Sequence, residues 1–552
     1  MRNPTALKYA ARLSSHGSRI SDAGQAGNQV CHDGAARPRA NRALSRFIGS
    51  KKGNVAVIFA LALLPVMAAT GSAIDITRAL QVKARLSSAL DAAGLAAGKK
   101  IDASDAVIEA TANAYFNANY PEDALGVPGE LSVDITDDKI TLHVTASVET
   151  TIMKFAGFDE IDVSSHTEIS RAVTGLEIAL ALDNTGSMAG TKLADLKTAS
   201  QDLIDILFGS ESFPAHLKMS IVPFAAGVKV RPFDGTSGFS PDWLDMTGAS
   251  SIHRGVNGDF DFAAGQTIWT LYDNITNRNW LGCVMERPIR SGGEHLDELD
   301  TPPSSADPDT LFVPWFAPDE PNGSSPTYAN SYLPDAVSGT AAVKQRSTAK
   351  YPAAGVAISS SISSSRGPDY NCKDTQTILP LTNNRALLEE KIDSMTAAYL
   401  THIPIGLAWG WRTLSPEAPY TEGAEYTDED TIKALVLMTD GENTISGTSN
   451  HNLSTFTGYG HLAKLRLGPT INTASEAEAE LDAKTARMCN NVKARGIRVY
   501  TIAFQVTATA TLNLLRNCAT TPEAFFASSS GAALRTAFTT IASELASLRI
   551  SR

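Results

Sequence analysis

The stretch GLEIALALDNTGSMAGTKLADLKTASQDLIDILF (residues 175–208) decides the fold class of the larger part of this chain. Its first nine residues form a short, almost continuous apolar run, which is typical of a strand covered on both faces of a sheet. The residues that follow place Leu193, Leu196, Leu203 and Leu207 at helical spacing, so these side chains share one face of a helix. A buried strand followed by an amphipathic helix is the repeating unit of a parallel α/β sheet.

Later segments repeat the unit. Buried strands are predicted at MSIVPF (219–224), KALVLMTD (433–440) and GIRVYTIAF (496–504). The chain ends on an amphipathic helix whose apolar positions are separated by four, three, four and three residues: Leu534, Phe538, Ile541, Leu545 and Leu548. The sequence therefore predicts an α/β fold, a doubly wound and mostly parallel sheet with helices on both faces.

One stretch interrupts this pattern. Between about residues 232 and 378, Pro, Gly, Ser, Asp and Trp crowd the sequence. A structureless loop of that length is implausible in a compact domain. We therefore expect an insertion with some structure of its own.

Two acidic residues come at the ends of predicted strands. Asp183 ends the first strand, with hydroxyl side chains at alternate positions after it (Thr185 and Ser187), and Asp440 ends KALVLMTD. In open α/β sheets, ligands bind at the carboxyl ends of the strands. Carboxylate and hydroxyl oxygens suit Mg²⁺ or Ca²⁺. The alternative is a turn in which Asp183 and Ser187 only cap the following helix.

The N-terminal part contains an uncharged stretch, GNVAVIFALALLPVMAATGSAI (residues 53–74). Val55 to Ile74 is about the length that spans a bilayer core as a helix. Lys51 and Lys52 precede it and Asp75 follows, so the positive-inside rule places residues 1–52 in the cytoplasm. The alternatives are a buried core helix and a cleaved secretory signal.

The charge is distributed unevenly around this stretch. Residues 1–52 hold ten Lys and Arg against two Asp, a balance of +8, so the rest carries −20 to give the total of −12 in 552 residues. An acidic body argues against a general nucleic-acid binder. We interpret the basic head as a topology determinant, although it could instead bind anionic lipid or nucleic acid.

The regions around the apolar stretch are predicted as follows. Residues 1–45 form a disordered basic tail, and residues 46–103 hold the membrane helix and a stalk, helical over 54–97. One face of the stalk carries a stripe of small and apolar residues at helical spacing: Leu86, Ala89, Leu90, Ala93 and Ala97. This face suits close packing against another helix. The alternative is a plain stalk with no partner. Residues 104–172 form a small α+β segment with a helix (106–118), a hairpin (131–144) and a strand near 161–169.

Five cysteines fit this topology. Cys31 would be cytoplasmic and reduced, whereas Cys283, Cys372, Cys489 and Cys518 would lie where disulfides persist. Four cysteines permit three pairings. We favour Cys489–Cys518, joining a helix to a loop after the next strand, which leaves Cys283–Cys372 within the insertion. The alternative is four unpaired buried thiols.

The stretch from Gly175 onward resembles a von Willebrand factor A domain, and Asp183-x-Thr185-x-Ser187 looks like its metal-ion-dependent adhesion site. The resemblance implies that Asp183, Thr185, Ser187, Asp440 and a loop threonine, Thr401, hold the ion. It also implies that an acidic group of a partner completes the coordination. For the neighbouring His402, Trp409 and Trp411, ordinary packing is the better interpretation.

The order of the regions resembles the TadG-like proteins of bacterial Flp/Tad pilus assembly systems. The matching stretches are KGNVA (52–56), FAPDE (316–320), NSYLP (330–334), GLAWGWR (406–412) and LMTDGEN (437–443). The resemblance implies a part in assembling or anchoring adhesive pili. Pseudopilins of these systems are cut beside a Gly, with a Glu five residues on. Here Ile58 stands five residues after Gly53, so we expect a retained anchor.

Three functions remain open. The first is a membrane-anchored, extracytoplasmic, metal-dependent protein-binding component of pilus assembly, built as a von Willebrand factor A-like domain over 173–552. The second is a structural scaffold whose metal site is non-functional or only stabilising. The third is a phosphotransfer enzyme, which the sequence supports least because Thr185 replaces the second acid. The chain also lacks HExxH, GxxxxGK[ST] and a nucleophile elbow.

Overall fold

The computed structural model describes residues 54–100, 104–121, 125–136, 139–170, 175–230, 241–254, 257–290, 292–323, 327–360, 362 and 366–550. The predicted tail (1–45), the lysine pair and Cys31 lie outside these residues. The chain divides into two units. The first comprises residues 1–80 with 148–161, and the second comprises residues 81–147 with 162–552.

The first long helix, α1, runs over Asn54–Gly98 and contains Pro65, close to the predicted bounds. It is long and apolar enough to cross a membrane by length and composition. Its apolar side chains in the first unit are exposed in this structure, including Phe59 (66%), Leu64 (67%) and Met67 (59%). The first unit also holds a short 3₁₀ helix, Met153–Ala156.

The small α+β segment follows α1. It consists of helix α2 (Asp105–Asn119) and the strands β1 (Val127–Pro128), β2 (Ser132–Ile135), β3 (Lys139–Glu149) and β4 (Glu160–Ser170). Strand β3 pairs with the other three. Ile135 lies opposite Ile140 and Val133 opposite Leu142, which is the register of the predicted hairpin.

The part of α1 that carries the stripe of small residues has a partner, because residues on the neighbouring face of the helix contact strand β4, so an unpartnered stalk does not describe it. All five residues of the stripe are buried. A Cβ added at Gly94 would lie 2.7 Å from Ile169 Cγ1, and the Ser87 and Ser165 hydroxyls are 2.7 Å apart. Residues without bulk allow β4 side chains to approach the helix closely, as they would have allowed a second helix to do.

The main sheet has six strands: β5 Gly175–Asp183, β6 Leu217–Phe224, β9 Leu379–Thr382, β10 Thr431–Thr439, β11 Arg498–Phe504 and β12 Phe525–Ser528. Their order in the sheet is β12-β11-β10-β5-β6-β9. The five strands from β12 to β6 are parallel, and β9 joins β6 antiparallel, so the sheet is mixed. The four predicted strands are present, and β10 ends one residue before Asp440.

Helices cover the sheet. They are α3 (Thr191–Phe208), α6 (Arg385–Ser394), α7 (Ile403–Leu414), α8 (Ala474–Ala494), α9 (Thr509–Cys518) and α10 (Gly531–Ile550). Strand β5 shows the two faces clearly. Leu180 and Leu182 belong to an apolar cluster with Leu196 of α3, whereas Ala179 and Ala181 belong to another cluster with Trp409 of α7. Alternate residues of β5 therefore face opposite layers.

The predicted insertion is structured. It contains helices α4 (Ile268–Asp273) and α5 (Ala341–Arg346) and the paired strands β7 (Val284–Met285) and β8 (Val313–Pro314). Buried aromatic side chains fill it, among them Trp280, Trp315 and Tyr351. These belong to the same apolar cluster as Trp409 of α7, so the insertion shares a core with one face of the main sheet.

Two disulfides are present, Cys283–Cys372 and Cys489–Cys518. They are the two pairs favoured from the sequence. The expected location of the second disulfide was wrong in one respect. Cys518 is the last residue of helix α9, so this bond joins two helices and not a helix to a loop.

Candidate metal centre

The two predicted acids lie at the same edge of the main sheet. Asp183 is the last residue of β5, and Asp440 follows β10 directly. These strands are parallel neighbours, with Leu182 opposite Met438. The carboxyl ends of both strands therefore bring the two side chains to one place.

Asp183 is fully buried and partly satisfied by the protein. The backbone N–H of Thr185 donates to its Oδ1 at 2.8 Å, and the Thr439 hydroxyl donates to its Oδ2 at 2.6 Å. Burial and the neighbouring charge of Asp440 raise the pKa of Asp183 to about 6, against the smaller opposing effect of its hydrogen bonds. Thr439 was not predicted as a functional residue.

Two hydroxyl groups connect the acids. The Thr185 and Ser187 hydroxyl oxygens are 3.0 Å apart, and Ser187 Oγ donates to Asp440 Oδ1 at 2.6 Å. Asp183, Thr185, Ser187 and Asp440 therefore form one continuous network. Ser187 is exposed while the other three are buried, so the network opens toward solvent on the Ser187 side.

Lys192, which the sequence reasoning missed, joins this network. It is the second residue of α3, and its Nζ lies 2.7 Å from Asp440 Oδ2. Its side chain is 26% exposed, whereas that of Asp440 is fully buried. The lysine thus supplies the positive charge that two adjacent carboxylates require. Only its position in the first turn of the helix after the motif could have indicated this.

Thr401 lies next to this network. Its loop is held against the motif by the Gly186 N–H, which donates to the Tyr399 carbonyl at 2.9 Å. Thr401 itself is buried, and its backbone N–H donates to Thr444 Oγ1 at 3.0 Å. Within the described parts of the chain, no hydrogen bond joins its hydroxyl to the other four residues. The structure thus connects four of the five predicted ligands directly.

The residues beside Thr401 contribute to the core. His402 is completely buried, and burial lowers the pKa of its imidazole to about 4, so it is neutral near pH 7. Trp409 Nε1 donates to Glu286 Oε1 at 2.7 Å, and the indole of Trp411 donates to the Tyr426 hydroxyl at 3.0 Å. These two contacts agree with ordinary packing for the tryptophan side chains.

The donor set fits a divalent cation. It offers two carboxylates and two hydroxyls, which are hard oxygen ligands. Both acids are buried, so the charged forms need a compensating positive charge close by. Lys192 provides one such positive charge, and a bound divalent ion would be a second source of positive charge.

A second cluster of ligand-type side chains is already neutralised. His295, Glu298 and Glu480 each place one ligand atom within 4.8 Å of the others. Arg487 Nη2 lies 2.7 Å from Glu298 Oε1 and 2.6 Å from Glu480 Oε1, and Lys484 Nζ also contacts Glu298, at 3.1 Å. We interpret this group as an ion-pair cluster that joins the insertion to α8.

Comparison with known families gives a match at the N-terminal helix. Residues 53–105 match the family described as "Putative Flp pilus-assembly TadE/G-like". The matched residues cover all of α1 and the first residue of α2. No curated protein matches the sequence significantly.

Solved structures that the comparison matches to this chain include pilus proteins. The vWF domain of the type V pili tip protein Mfa5 from Porphyromonas gingivalis is 11% identical, with a TM-score of 0.32 over 69% of this chain and 97% of that one. The pilus adhesin RrgA from Streptococcus pneumoniae is 13% identical, with a TM-score of 0.29 over 75% and 49%. The pilus adhesin SpaC from Lactobacillus rhamnosus GG is 9% identical, with a TM-score of 0.30 over 76% and 34%. This chain thus spans about a third of SpaC and half of RrgA.

Proposed function

We propose that this protein is a membrane-anchored, extracytoplasmic protein-binding component of bacterial Flp/Tad pilus assembly or anchoring, and that it binds its partner through a metal-ion-dependent adhesion site. The observation that carries the proposal is the network of Asp183, Thr185, Ser187 and Asp440 at the carboxyl ends of two parallel strands. In this proposal, residues 173–552 form a doubly wound von Willebrand factor A-like domain with an insertion.

The ion would be Mg²⁺ or Ca²⁺, held by the four connected residues with Thr401 as a fifth ligand. A bound ion would offer its remaining positive charge to an acidic group on another protein. The chain's own contribution is to bury the acids and aim the hydroxyls. The opening beside Ser187 leaves a path for that group.

The anchor would be the apolar part of α1, with one pass and the N-terminus in the cytoplasm. The length and composition of the helix support an anchor, and the charge difference across it supports the direction. The acidic body would then lie outside the bacterial inner membrane, in the periplasm or at the cell surface. Both disulfides lie in this body, where oxidising conditions preserve them.

The match at residues 53–105 supports a role in pilus assembly. The partners would be other pilus assembly proteins or pseudopilins, with self-association also open. We propose no enzymatic activity, because the sequence lacks HExxH, GxxxxGK[ST] and a nucleophile elbow, and Thr185 stands where phosphotransfer would need a second acid.

A structural scaffold is the second candidate function. The observation that favours it is the Lys192–Asp440 ion pair, which neutralises one acid without any metal. In a scaffold, this pair would hold α3 against the end of β10, and no ion would be needed for binding.

The two functions differ in the effect of removing the ion. The full chain in nanodiscs would be titrated with Mg²⁺ or Ca²⁺ by calorimetry and used to capture pilus components with and without chelator. Adhesion through the ion predicts that Asp183→Ala and Asp440→Ala abolish ion binding and capture while the protein stays folded. The matched control is Glu442→Ala, which removes an exposed acid two residues beyond Asp440. Capture that persists in excess chelator would reject the metal-dependent function.

A further inference from the structure

We propose that the tip of the β3–β4 hairpin, residues 151–158, docks onto the surface of the lipid bilayer beside helix α1. The inference rests on the proposed membrane anchor and deepens it. All the residues involved belong to the first unit of the chain.

The tip is tied to α1 at the end of the apolar stretch. The backbone N–H groups of Thr151, Ile152 and Met153 donate to the Asp75 carboxylate at 2.9, 2.8 and 2.9 Å. Asp75 is only 2% exposed, although it directly follows the uncharged stretch 53–74. Three charge-assisted hydrogen bonds therefore fix the tip at the level where the apolar span ends.

A second contact lies deeper along the helix. A Cβ added at Gly71 would overlap Ile152 Cγ2, so the isoleucine packs directly on the helix backbone. Gly71 precedes Asp75 by four residues, about 6 Å along the helix axis. Ile152 therefore contacts α1 inside the stretch that the proposed anchor places in the membrane.

The tip presents apolar side chains to its surroundings. Phe155 is 89% exposed and Phe158 is 59% exposed. The only charged residue from Thr151 to Phe158 is Lys154. Aromatic rings with a basic residue are typical of segments that lie in the membrane interface, where the rings enter the acyl boundary and the charge meets the lipid phosphates.

These observations select lipid over protein as the occupant. The exposed rings belong to the same unit as exposed apolar side chains of α1, among them Met67 and Ile74. A bilayer that surrounds α1 reaches the level of Gly71, so it covers the contact point of the hairpin at the same time. A protein partner would cover the rings without this continuity.

A fluorescence experiment tests the depth of the tip. In a Cys31→Ser background, the full chain would carry Phe155→Cys labelled with an environment-sensitive NBD group, and would be reconstituted in phosphatidylethanolamine–phosphatidylglycerol vesicles. We expect blue-shifted NBD emission that spin-labelled lipids with a shallow label quench. Phe213→Cys is the matched control, since Phe213 is a 63% exposed phenylalanine of the second unit. Its label should emit as in water and resist quenching.

A third labelled position separates the hairpin from the anchor. Leu64→Cys lies in the apolar stretch and should be quenched by lipids with a deep spin label. If Leu64→Cys is quenched while Phe155→Cys behaves like the Phe213→Cys control, the hairpin proposal is wrong and the anchor stands. If neither position is quenched, the anchor itself fails and the hairpin proposal fails with it. A blue shift at Phe155→Cys without lipid quenching would show a protein contact and also overturn the proposal.

Discussion

Lys192 controls the charge balance at the strand-end network. Its ammonium group contacts the same Asp440 that Ser187 contacts, but on the other carboxylate oxygen. The lysine and a divalent ion would therefore stabilise the same negative charge. Because like charges repel at short range, a bound ion and a nearby ammonium group compete.

Replacing this lysine tests the competition. Lys192→Met keeps an unbranched side chain of similar length and removes the charge, so we expect the affinity for Mg²⁺ or Ca²⁺ to rise roughly tenfold, about 1.4 kcal/mol. Calorimetric titration of the full chain measures this. The matched control is Lys197→Met on the same helix, because Lys197 Nζ donates to the Asp393 carbonyl, outside the network. Unchanged or weaker ion binding in Lys192→Met would contradict competition.

Residue patterns predicted part of this site. An acid at a strand end followed by alternate hydroxyls can be recognised in sequence, because the strand and the turn are local. Thr439 and Lys192 could not be recognised in the same way. Their roles depend on the pairing of β5 with β10 and on the direction in which α3 leaves the turn, and both are tertiary features.

For the whole helix α1, the local features could also be predicted from sequence, whereas its tertiary neighbour could not. Its length and its buried stripe follow from apolar spacing, and both were predicted. The contact of the neighbouring helix face with strand β4 was not predicted, since small residues permit close approach of a helix or a strand equally. Along this contact with β4, Thr167 Oγ1 donates to Asp91 Oδ1 at 2.9 Å.

A bulky residue at the centre of this contact should disrupt it. Gly94→Val would bring side-chain atoms within about 3 Å of Ile169 and Thr167, because an added Cβ alone would lie 2.7 Å from Ile169 and 3.3 Å from Thr167. Overpacking of this kind costs about 1–3 kcal/mol, although valine is a better helix former than glycine. Thermal unfolding of the full chain in detergent measures the loss.

The neighbouring position supplies the control for this element. Leu95→Val introduces the same side chain at a residue that is 60% exposed, so its effect on stability should stay below about 0.5 kcal/mol. Equal effects of the two substitutions would show that the contact between α1 and β4 does not contribute to stability.

For the whole molecule, the alternation of buried strands and amphipathic helices was enough to predict the centre of the main sheet. Strands β9 and β12 escaped prediction because each has only four residues and lies at an edge of the sheet. The insertion was predicted only as a structured region. Its core is built from aromatic residues that are far apart in sequence, so no local periodicity marks them.

The two disulfides constrain this molecule to different degrees. Cys283 and Cys372 are 89 residues apart, whereas Cys489 and Cys518 are 29 residues apart. In the chain-entropy model, a longer closed loop removes more freedom from the unfolded chain, about 4.6 kcal/mol for the first bond and about 3.6 kcal/mol for the second. The first bond also holds together an insertion with few regular elements.

We therefore expect the double variant Cys283→Ala/Cys372→Ala to lose about 1 kcal/mol more unfolding free energy than Cys489→Ala/Cys518→Ala, and to lose it mainly in the insertion. Denaturant unfolding measures the difference, and hydrogen exchange shows where protection is lost. The Cys489–Cys518 bond connects α8 to α9, two helices that already pack beside β11, so its removal should leave the insertion protected. A larger loss from the Cys489 pair would mean that packing of the main sheet, and not loop closure in the insertion, limits the stability of the second unit.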